Sequence, residues 1–417
     1  MVKIALYDMT LAVYNLSLVP IIFFSLMFII LSIVFLMLKR EEPKSFKNVE
    51  EYPFVSVQVP TFNDPIAERC IRHCMDFDYP KDKYEIIIAD DSTNTSTQAL
   101  LKEFETKNPG FIKYIHRQNR EGFKPGALRN AMKITKGEII VVFDSDWMPA
   151  RDFLNKIIQP FADERVALVQ TRQTFYNKDT NLITRFAAYV LMFYHTIIMP
   201  INNKINCVFF CGTAGALRRS VFDKVGGWNL HSLTEDSDLT ISIILSGHKS
   251  VYLDIETPSE VPDSFESFVK QQMRWCYGNT RVFLDNSTKI LFKRGVSLKQ
   301  RFMMLYVTLG NIIAPFVVLM TIFGFLGWFI GDIELIKLSD ITTLVIRFGL
   351  TSGFIIMGLL TLHKAKIKRE FPYMILSIFT VGVIIAFVNS IAFFRALLNK
   401  KPNWYCTPKI KNDKFVE

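Results

Sequence analysis

The chain has 417 residues, half of them apolar, a positive mean hydropathy and a formal net charge of +10. A chain this apolar is not wholly soluble, and its six cysteines form no Cys-x-x-Cys pair, which argues against a zinc module or a disulfide scaffold. Much of the positive excess lies in loops beside apolar segments and in the tail, where anionic headgroups are the nearer partner; no nucleic-acid motif accompanies it, and no nucleic-acid partner is expected.

Leu16–Leu38 carries no charge and is long enough to cross a hydrocarbon core of about 30 Å at about 1.5 Å per residue. A cleaved signal peptide would have an apolar region of about 7–15 residues and a small-residue cleavage site, so residues 1–40 read as an uncleaved anchor. Lys39-Arg40 follows at once, which puts the chain from Glu41 to about Arg301 on the cytoplasmic side.

Beyond the anchor, Phe54–Val59, Tyr84–Ala89, Lys113–His116, Glu138–Phe143 and Val166–Gln170 read as short, mostly buried strands. Helical patterns near Pro65–Phe77, Ser96–Lys107, Pro125–Thr135 and Asp152–Phe161 separate them. This alternation implies an α/β domain with a mainly parallel sheet covered on both faces. The pairs Cys70/Cys74 and Cys207/Cys211 have helix-face spacing and read as reduced, buried thiols. Leu182–Met199, apolar but interrupted by Arg185 and His195, and the aromatic, basic stretch Phe265–Phe283 read either as amphipathic helices on the membrane surface or as helices packed on the domain.

Met303–Ile330, Ile341–Leu362 and Met374–Leu398 are further apolar segments. The loop between the first two is acidic and the next, with Lys364, Lys366, Lys368 and Arg369, is basic, as the positive-inside rule requires. The basic tail, with Lys400, Lys401, Lys409, Lys411 and Lys414, would then be external unless the last segment is interfacial or re-entrant. The expected division is an anchor (1–40), a soluble domain (41–285), a membrane region of two to three spans with an interfacial helix (286–398) and a basic tail (399–417).

Chemistry-bearing residues cluster at strand ends and helix starts. Asp90-Asp91 ends one strand, next to a polar loop containing Thr61, Asn63 and Asp64; two like charges there are costly unless they meet donors. Asp144-Ser145-Asp146 ends another, and two carboxylates one residue apart suit Mg²⁺ or Mn²⁺ completed by diphosphate oxygens. Lys124, between Gly122 and Gly126 at a helix start, suits a diphosphate. Thr234-Glu235-Asp236 opens a helix, with Thr234 as N-cap and the acids favoured by the helix dipole, or with Asp236 as a general base. Gln271, Arg274 and Trp275 share adjoining faces of a helix, a cation for diphosphate beside a flat ring for a sugar. Each cluster alone is also explained by turn, cap or packing chemistry.

In this order, Asp-Asp, Asp-x-Asp, Thr-Glu-Asp and Gln-x-x-Arg-Trp resemble the membrane-embedded, processive family-2 glycosyltransferases, the group of cellulose synthases, hyaluronan synthases and cellulose-synthase-like mannan synthases. Phe209–Gly215 is similar to that family's acceptor segment, with Cys211, Gly212 and Thr213 at its centre. Gly226-Gly227-Trp228 precedes the acidic motif as it does there, and Trp404–Lys409 resembles the gating loop, with Trp in place of Phe. The resemblance implies a GT-A-type, Rossmann-like domain with flanking transmembrane helices. Asp90, Asp91 and Asp144 would hold the nucleotide, with Thr61, Asn63, Asp64 and Lys124 around it, and Asp144 and Asp146 the Mg²⁺ or Mn²⁺. Asp236 would be the base, Gln271 and Arg274 would steady the diphosphate, and Glu235 and Trp275 would meet the acceptor. Thr407 and Lys409 would close over the nucleotide, a role that favours a cytoplasmic tail.

The implied activity is inverting hexosyl transfer from UDP-glucose or GDP-mannose to a growing β-linked glucan or mannan, with membrane lipids, a further subunit or a second copy as partners. The alternatives are transfer of one sugar to a lipid and a catalytically silent membrane partner.

Overall fold

A computed structural model describes residues 2–38, 51–330 and 341–400. Lys39-Arg40, the acidic loop 331–340 and the tail with Trp404, Thr407 and Lys409 lie outside the described residues.

Seven strands form one sheet, in the order β3-β2-β1-β4-β6-β5-β7. They are β1 (Val55–Thr61), β2 (Tyr84–Asp90), β3 (Ile112–His116), β4 (Ile139–Val142), β5 (Val166–Phe175), β6 (Gly215–Arg218) and β7 (Lys249–Ser259). The pairings of β1 with β2 and β4, of β2 with β3 and of β5 with β7 are parallel. Two strands are additional to the five expected. β6 runs antiparallel between β4 and β5, so the sheet is mixed. The runs VSVQVPT, YEIIIAD and IIVV are buried at every position, as strands covered on both faces require. Three polar residues inside them are bonded: Gln58 Nε2 donates to Thr135 Oγ1 at 2.8 Å, and Glu85 accepts from Ser56 at 2.6 Å and pairs with Lys113 at 2.5 Å.

The helices of the domain are α2 (Ala67–Met75), α3 (Thr95–Lys107), α4 (Phe123–Ala131), α5 (Phe153–Ile157), α6 (Leu182–Phe193), α7 (Met199–Lys204), α8 (Arg219–Lys224), α9 (Glu235–Leu245) and α10 (Phe265–Phe292). α2 lays Cys70, Ile71 and Cys74 on one face of the sheet, where they join Phe77, Phe143 and Phe153 in one core; both thiols are free and buried. A second core gathers Leu128, Val142, Leu217, Phe222, Trp228 and Ile243. Each large side chain buried there contributes roughly 1.5–3 kcal/mol.

The membrane-type helices are α1 (Val2–Met37), α11 (Leu298–Leu309), α12 (Ile313–Ile330), α13 (Ile341–Thr351), α14 (Gly353–Lys364), α15 (Phe371–Ser377) and α16 (Val383–Leu397). Among the described residues four helical stretches are long and apolar enough to cross a bilayer: Ala5–Met37, Leu182–Lys204, Leu298–Ile330 and Lys368–Leu397. Leu182–Lys204 combines α6, a π-turn at Tyr194–Ile198 and α7; it is more than half buried within the protein and packs between the domain, through Phe175 and Phe268, and the other apolar helices, through Leu31, Met357 and Met374. α10 likewise packs on the protein, with Cys276 and Tyr277 against Ala392, Phe393 and Ala396 of α16.

Ile341–Leu362 is not one straight span. Val345–Thr351 and Gly353–Lys364 meet at 61°. The break lies where α1 approaches: Ser25 Oγ accepts from the Gly353 N–H at 2.8 Å, and a Cβ on Gly353 would fall 1.9 Å from the Ser25 carbonyl oxygen. Thr10, Ser17, Ser25 and Ser32 are buried polar residues of α1, a small-residue stripe that permits such close helix approach.

Candidate functional site

The ends of β1, β2, β4 and β7, the loop before β6 and the starts of α4, α9 and α10 surround one cleft. Thr61, Asp64, Asp91, Lys124, Asp144, Asp146, Cys211, Gly212, Thr213, Glu235, Asp236, Gln271, Arg274 and Trp275 all line it. Residues spread over most of the chain thus converge on one space.

Two expected ligands do not line it. Asp90 is buried with its carboxylate engaged by the protein, accepting from the Ser92 N–H at 2.9 Å, from Tyr114 OH at 2.8 Å and meeting His116 Nδ1 at 2.9 Å. Asn63, at φ 51°, accepts from the Thr93 and Asn94 N–H groups at 2.8 and 2.9 Å and so joins the loops after β1 and β2. In these positions both hold the loops at the rim of the cleft. Asp91 does reach the cleft, gripped by Arg117 through two bonds of 2.7 and 2.6 Å, which meets the cost of burying its charge.

At the centre, Lys124 Nζ lies 2.6 Å from Asp144 Oδ1 and donates to the Gly212 carbonyl at 2.9 Å. Burial alone would pull the Lys124 ammonium below its ordinary value, but the carboxylates of Asp144, Glu235 and Asp236 outweigh it and hold it above. Lys124 therefore stays charged, as a diphosphate partner must. Thr213 Oγ1 accepts from the Asp144 N–H at 2.9 Å, and Asp146 Oδ2 accepts from the Glu260 N–H at 3.2 Å.

Among the described residues no cluster of three or more metal-ligating side chains occurs. Asp144 and Asp146 both line the cleft, and their carboxylates are the donor pair the sequence points to. Such a pair fits Mg²⁺ or Mn²⁺ when phosphate oxygens and water complete the shell.

The opposite wall is the first turn of α9. Thr234 occupies the N-cap position but its side chain makes no cap bond, and its Oγ1 is buried without a partner, so the expected capping role is not realised. Asp236 opens onto the cleft, with Oδ1 accepting from the Ser237 N–H at 2.8 Å. Burial raises its carboxyl above the ordinary range, and burial together with the Asp236 charge pushes Glu235 up to about 7. A carboxylate raised in this way is suited to general-base work near neutrality.

α10 fixes this turn from outside. Arg274 donates to the Leu233 carbonyl at 3.2 Å, and Asn286 donates to Asp238 at 3.0 Å. At Gly278 a Cβ would fall 2.5 Å from Thr234 Cγ2 and 2.7 Å from its Oγ1. Gly278→Ala is therefore expected to push the Thr234-Glu235-Asp236 turn outward and lower activity about 10²-fold, the scale for a displacement of about 1 Å. Adding Thr234→Ala restores most of that activity, and a double variant as impaired as the single one refutes the steric account.

Several supporting residues carry no sequence signal of their own. Gln170 reads as one more strand residue, yet its side chain stitches the loop before β6, accepting from the Cys211 N–H at 2.8 Å and donating to the Thr213 and Ala214 carbonyls at 3.1 Å. Thr240 Oγ1 accepts from the Phe210 N–H at 2.9 Å and donates to the Asp236 carbonyl at 2.8 Å, which ties that loop to α9. Arg120 also lines the cleft, its guanidinium 3.2 Å from the Phe62 ring centroid.

Residues 56–226 match the family model for glycosyl transferase family 2. Over 280 residues, 64% of this chain and 48% of the relative, the sequence is 34% identical to a probable glucomannan 4-beta-mannosyltransferase 7 of Oryza sativa subsp. japonica. The chain thus spans about half the length of that curated relative. A solved structure, the mannosyltransferase PcManGT from Pyrobaculum calidifontis in complex with GDP-Man and Mn²⁺, superposes with a TM-score of 0.62 at 16% identity, covering 96% of this chain and 100% of the other. At that identity the likeness concerns the fold.

Proposed function

We infer from the glycosyl transferase family 2 domain this chain carries over residues 56–226 that it moves a hexosyl unit from a nucleoside-diphosphate sugar to an acceptor hydroxyl, with inversion. GDP-mannose is the leading donor, since the similar rice protein is named for mannosyl transfer and the superposed archaeal structure holds GDP-Man. UDP-glucose is the second candidate. The leading acceptor is a growing β-linked mannan or glucan.

One observation carries the reading. The Lys124 ammonium paired with Asp144 touches the Gly212 carbonyl, while Asp236 Oδ2 lies 3.0 Å from the point where a side chain on Gly212 would begin. A leaving-group cation and a raised carboxylate therefore flank one glycine, as a single in-line displacement needs.

Asp91 and Arg117 bound the nucleotide end of the cleft, and Lys124 and Arg274 meet the negative charge that grows on the departing diphosphate. Asp144 and Asp146 would hold Mn²⁺ or Mg²⁺, which when bound neutralises part of that charge. Asp236 takes the acceptor hydroxyl proton while the oxygen attacks the anomeric carbon and the bond to the diphosphate breaks. Gln271 steadies the diphosphate end, and the flat face of Trp275 carries the acceptor ring.

The long apolar helices support a membrane location for this activity, and Lys39-Arg40 after the first of them supports a cytoplasmic side for the domain of residues 41–285. A second reading, transfer of one sugar to a lipid, is favoured by Leu191 of the membrane-length stretch Leu182–Lys204, which lines the cleft beside Phe175 and Val261.

The test is a donor screen on the purified full chain in nanodiscs, reading nucleoside diphosphate release and product size. The expected result is GDP release from GDP-mannose and a β-linked polymer, abolished by chelation and restored by Mn²⁺ or Mg²⁺. One-sugar lipid products alone would reject the polymer, and transfer that survives chelation would remove the metal role from Asp144 and Asp146.

A further inference from the structure

Behind Asp146 lies a buried charged network that the reaction as described does not use. Tyr176 follows β5 and Glu260 follows β7, and the two segments are joined there by the Tyr176 N–H donating to the Ser259 carbonyl at 3.2 Å. The Glu260 carboxylate lines the cleft yet is almost fully buried; it accepts from Tyr176 OH and from Arg69 Nη2, the latter at 3.2 Å. The same Arg69 nitrogen donates to Tyr176 OH at 2.7 Å and to the Asp146 carbonyl at 3.4 Å. The Glu260 N–H, in turn, donates to Asp146 Oδ2 at 3.2 Å.

Arg69 thus holds both sides of one contact, the main chain of Asp146 and the segment whose N–H aims the Asp146 carboxylate. Burying an ion pair here is poor value as stability, because desolvation offsets much of the attraction. Its effect is directional. Fixing the Glu260 peptide fixes one Asp146 oxygen, and with it the plane in which the carboxylate meets the cleft, the arrangement by which groups behind a metal ligand tune its affinity.

We propose that Arg69, Tyr176 and Glu260 form a positioning unit that orients the Asp146 carboxylate and thereby sets how tightly a divalent cation is held with the donor diphosphate. The proposal rests on the metal role given above to Asp144 and Asp146. Without an acceptor at Glu260 for Arg69 and Tyr176, the peptide N–H loses its fixed direction and Asp146 samples orientations that do not face the diphosphate.

The experiment measures Mn²⁺ uptake by the full chain in nanodiscs, from the electron paramagnetic resonance signal of free Mn²⁺, with GDP and with UDP. Thermal melts of each variant are run in parallel. Glu260→Ala is expected to weaken Mn²⁺ binding about tenfold or more. Glu260→Gln, which keeps an acceptor for Arg69 and Tyr176, restores most of the affinity. Tyr176→Phe, which removes one hydroxyl and no charge, weakens binding by a smaller factor. If Glu260→Ala does not fold, Tyr176→Phe decides alone. Folded variants that bind Mn²⁺ as the wild type does overturn the proposal and leave the proposed function standing. A wild-type protein that takes up no Mn²⁺ with either nucleotide removes the metal assignment together with this inference.

Discussion

Replacing Asp236 by Asn is expected to lower sugar transfer about 10³-fold while leaving donor binding unchanged. The substitution is nearly isosteric and keeps an oxygen that accepts the Ser237 N–H, so the first turn of α9 stays in place. Lys124 keeps its contacts to Asp144 and Gly212, and the diphosphate end of the cleft is untouched. What is lost is the oxygen placed to take the acceptor proton, so kcat falls and the donor KM does not. An Asp236→Asn enzyme of wild-type rate would remove the base assignment. Proton chemistry gives a second handle. Burial raises Asp236 above the ordinary carboxylate range, and the base must be ionised to act, so kcat/KM falls as pH drops through that raised value. Glu235 obeys a different rule. Its folded value of about 7 exceeds its ordinary 4.5, so it contributes stability that is fully present below about 4.5 and lost as pH rises through 7. Glu235→Gln should therefore flatten the decline in melting temperature between about pH 5 and pH 8, which thermal melts across that range would read.

The strands that sequence placed well are those buried on both faces. VSVQVPT, YEIIIAD and IIVV are continuous buried runs, and the expectations for them fall within about two residues of the structure. β6 escaped because four residues, Gly-Ala-Leu-Arg, are too few to show a period, and its antiparallel insertion depends on partners distant in sequence. β7 escaped because one face is charged: Asp254 and Glu256 stand on it and pair with Arg172 of β5. The site was legible in kind but not in direction. Asp90 and Asp91 look equivalent as letters, but successive strand-end side chains diverge, sending Asp90 to Tyr114 and His116 and leaving Asp91 at the cleft. The bend between Val345–Thr351 and Gly353–Lys364 was hidden for a similar reason, since hydropathy counts composition and does not register the close approach of Ser25 to Gly353.

Gly212→Ala should be nearly as damaging to catalysis as the loss of the base, although it removes no functional group. The residue sits at φ +77°, a conformation that costs an L side chain about 1–2 kcal/mol. Its new methyl carbon would lie 3.0 Å from Asp236 Oδ2 and 3.5 Å from Lys124 Nζ, in the space where the acceptor hydroxyl must approach. The base, the cation and the acceptor path would all be displaced at once, and a loss of at least about 10²-fold follows. Gly226→Ala separates strain from position. Gly226 has an equally unfavourable φ of +97°, but a Cβ there meets nothing within 4 Å. Both variants should melt lower by a similar amount, and only Gly212→Ala should lose transfer. Equal activity loss in the two would mean that backbone strain, and not the crowding of Asp236 and Lys124, is what this glycine avoids. Preserved activity in Gly212→Ala would show that the reacting oxygen does not pass between those two groups, and the geometry that joins Lys124 to Asp236 would no longer support a single displacement there.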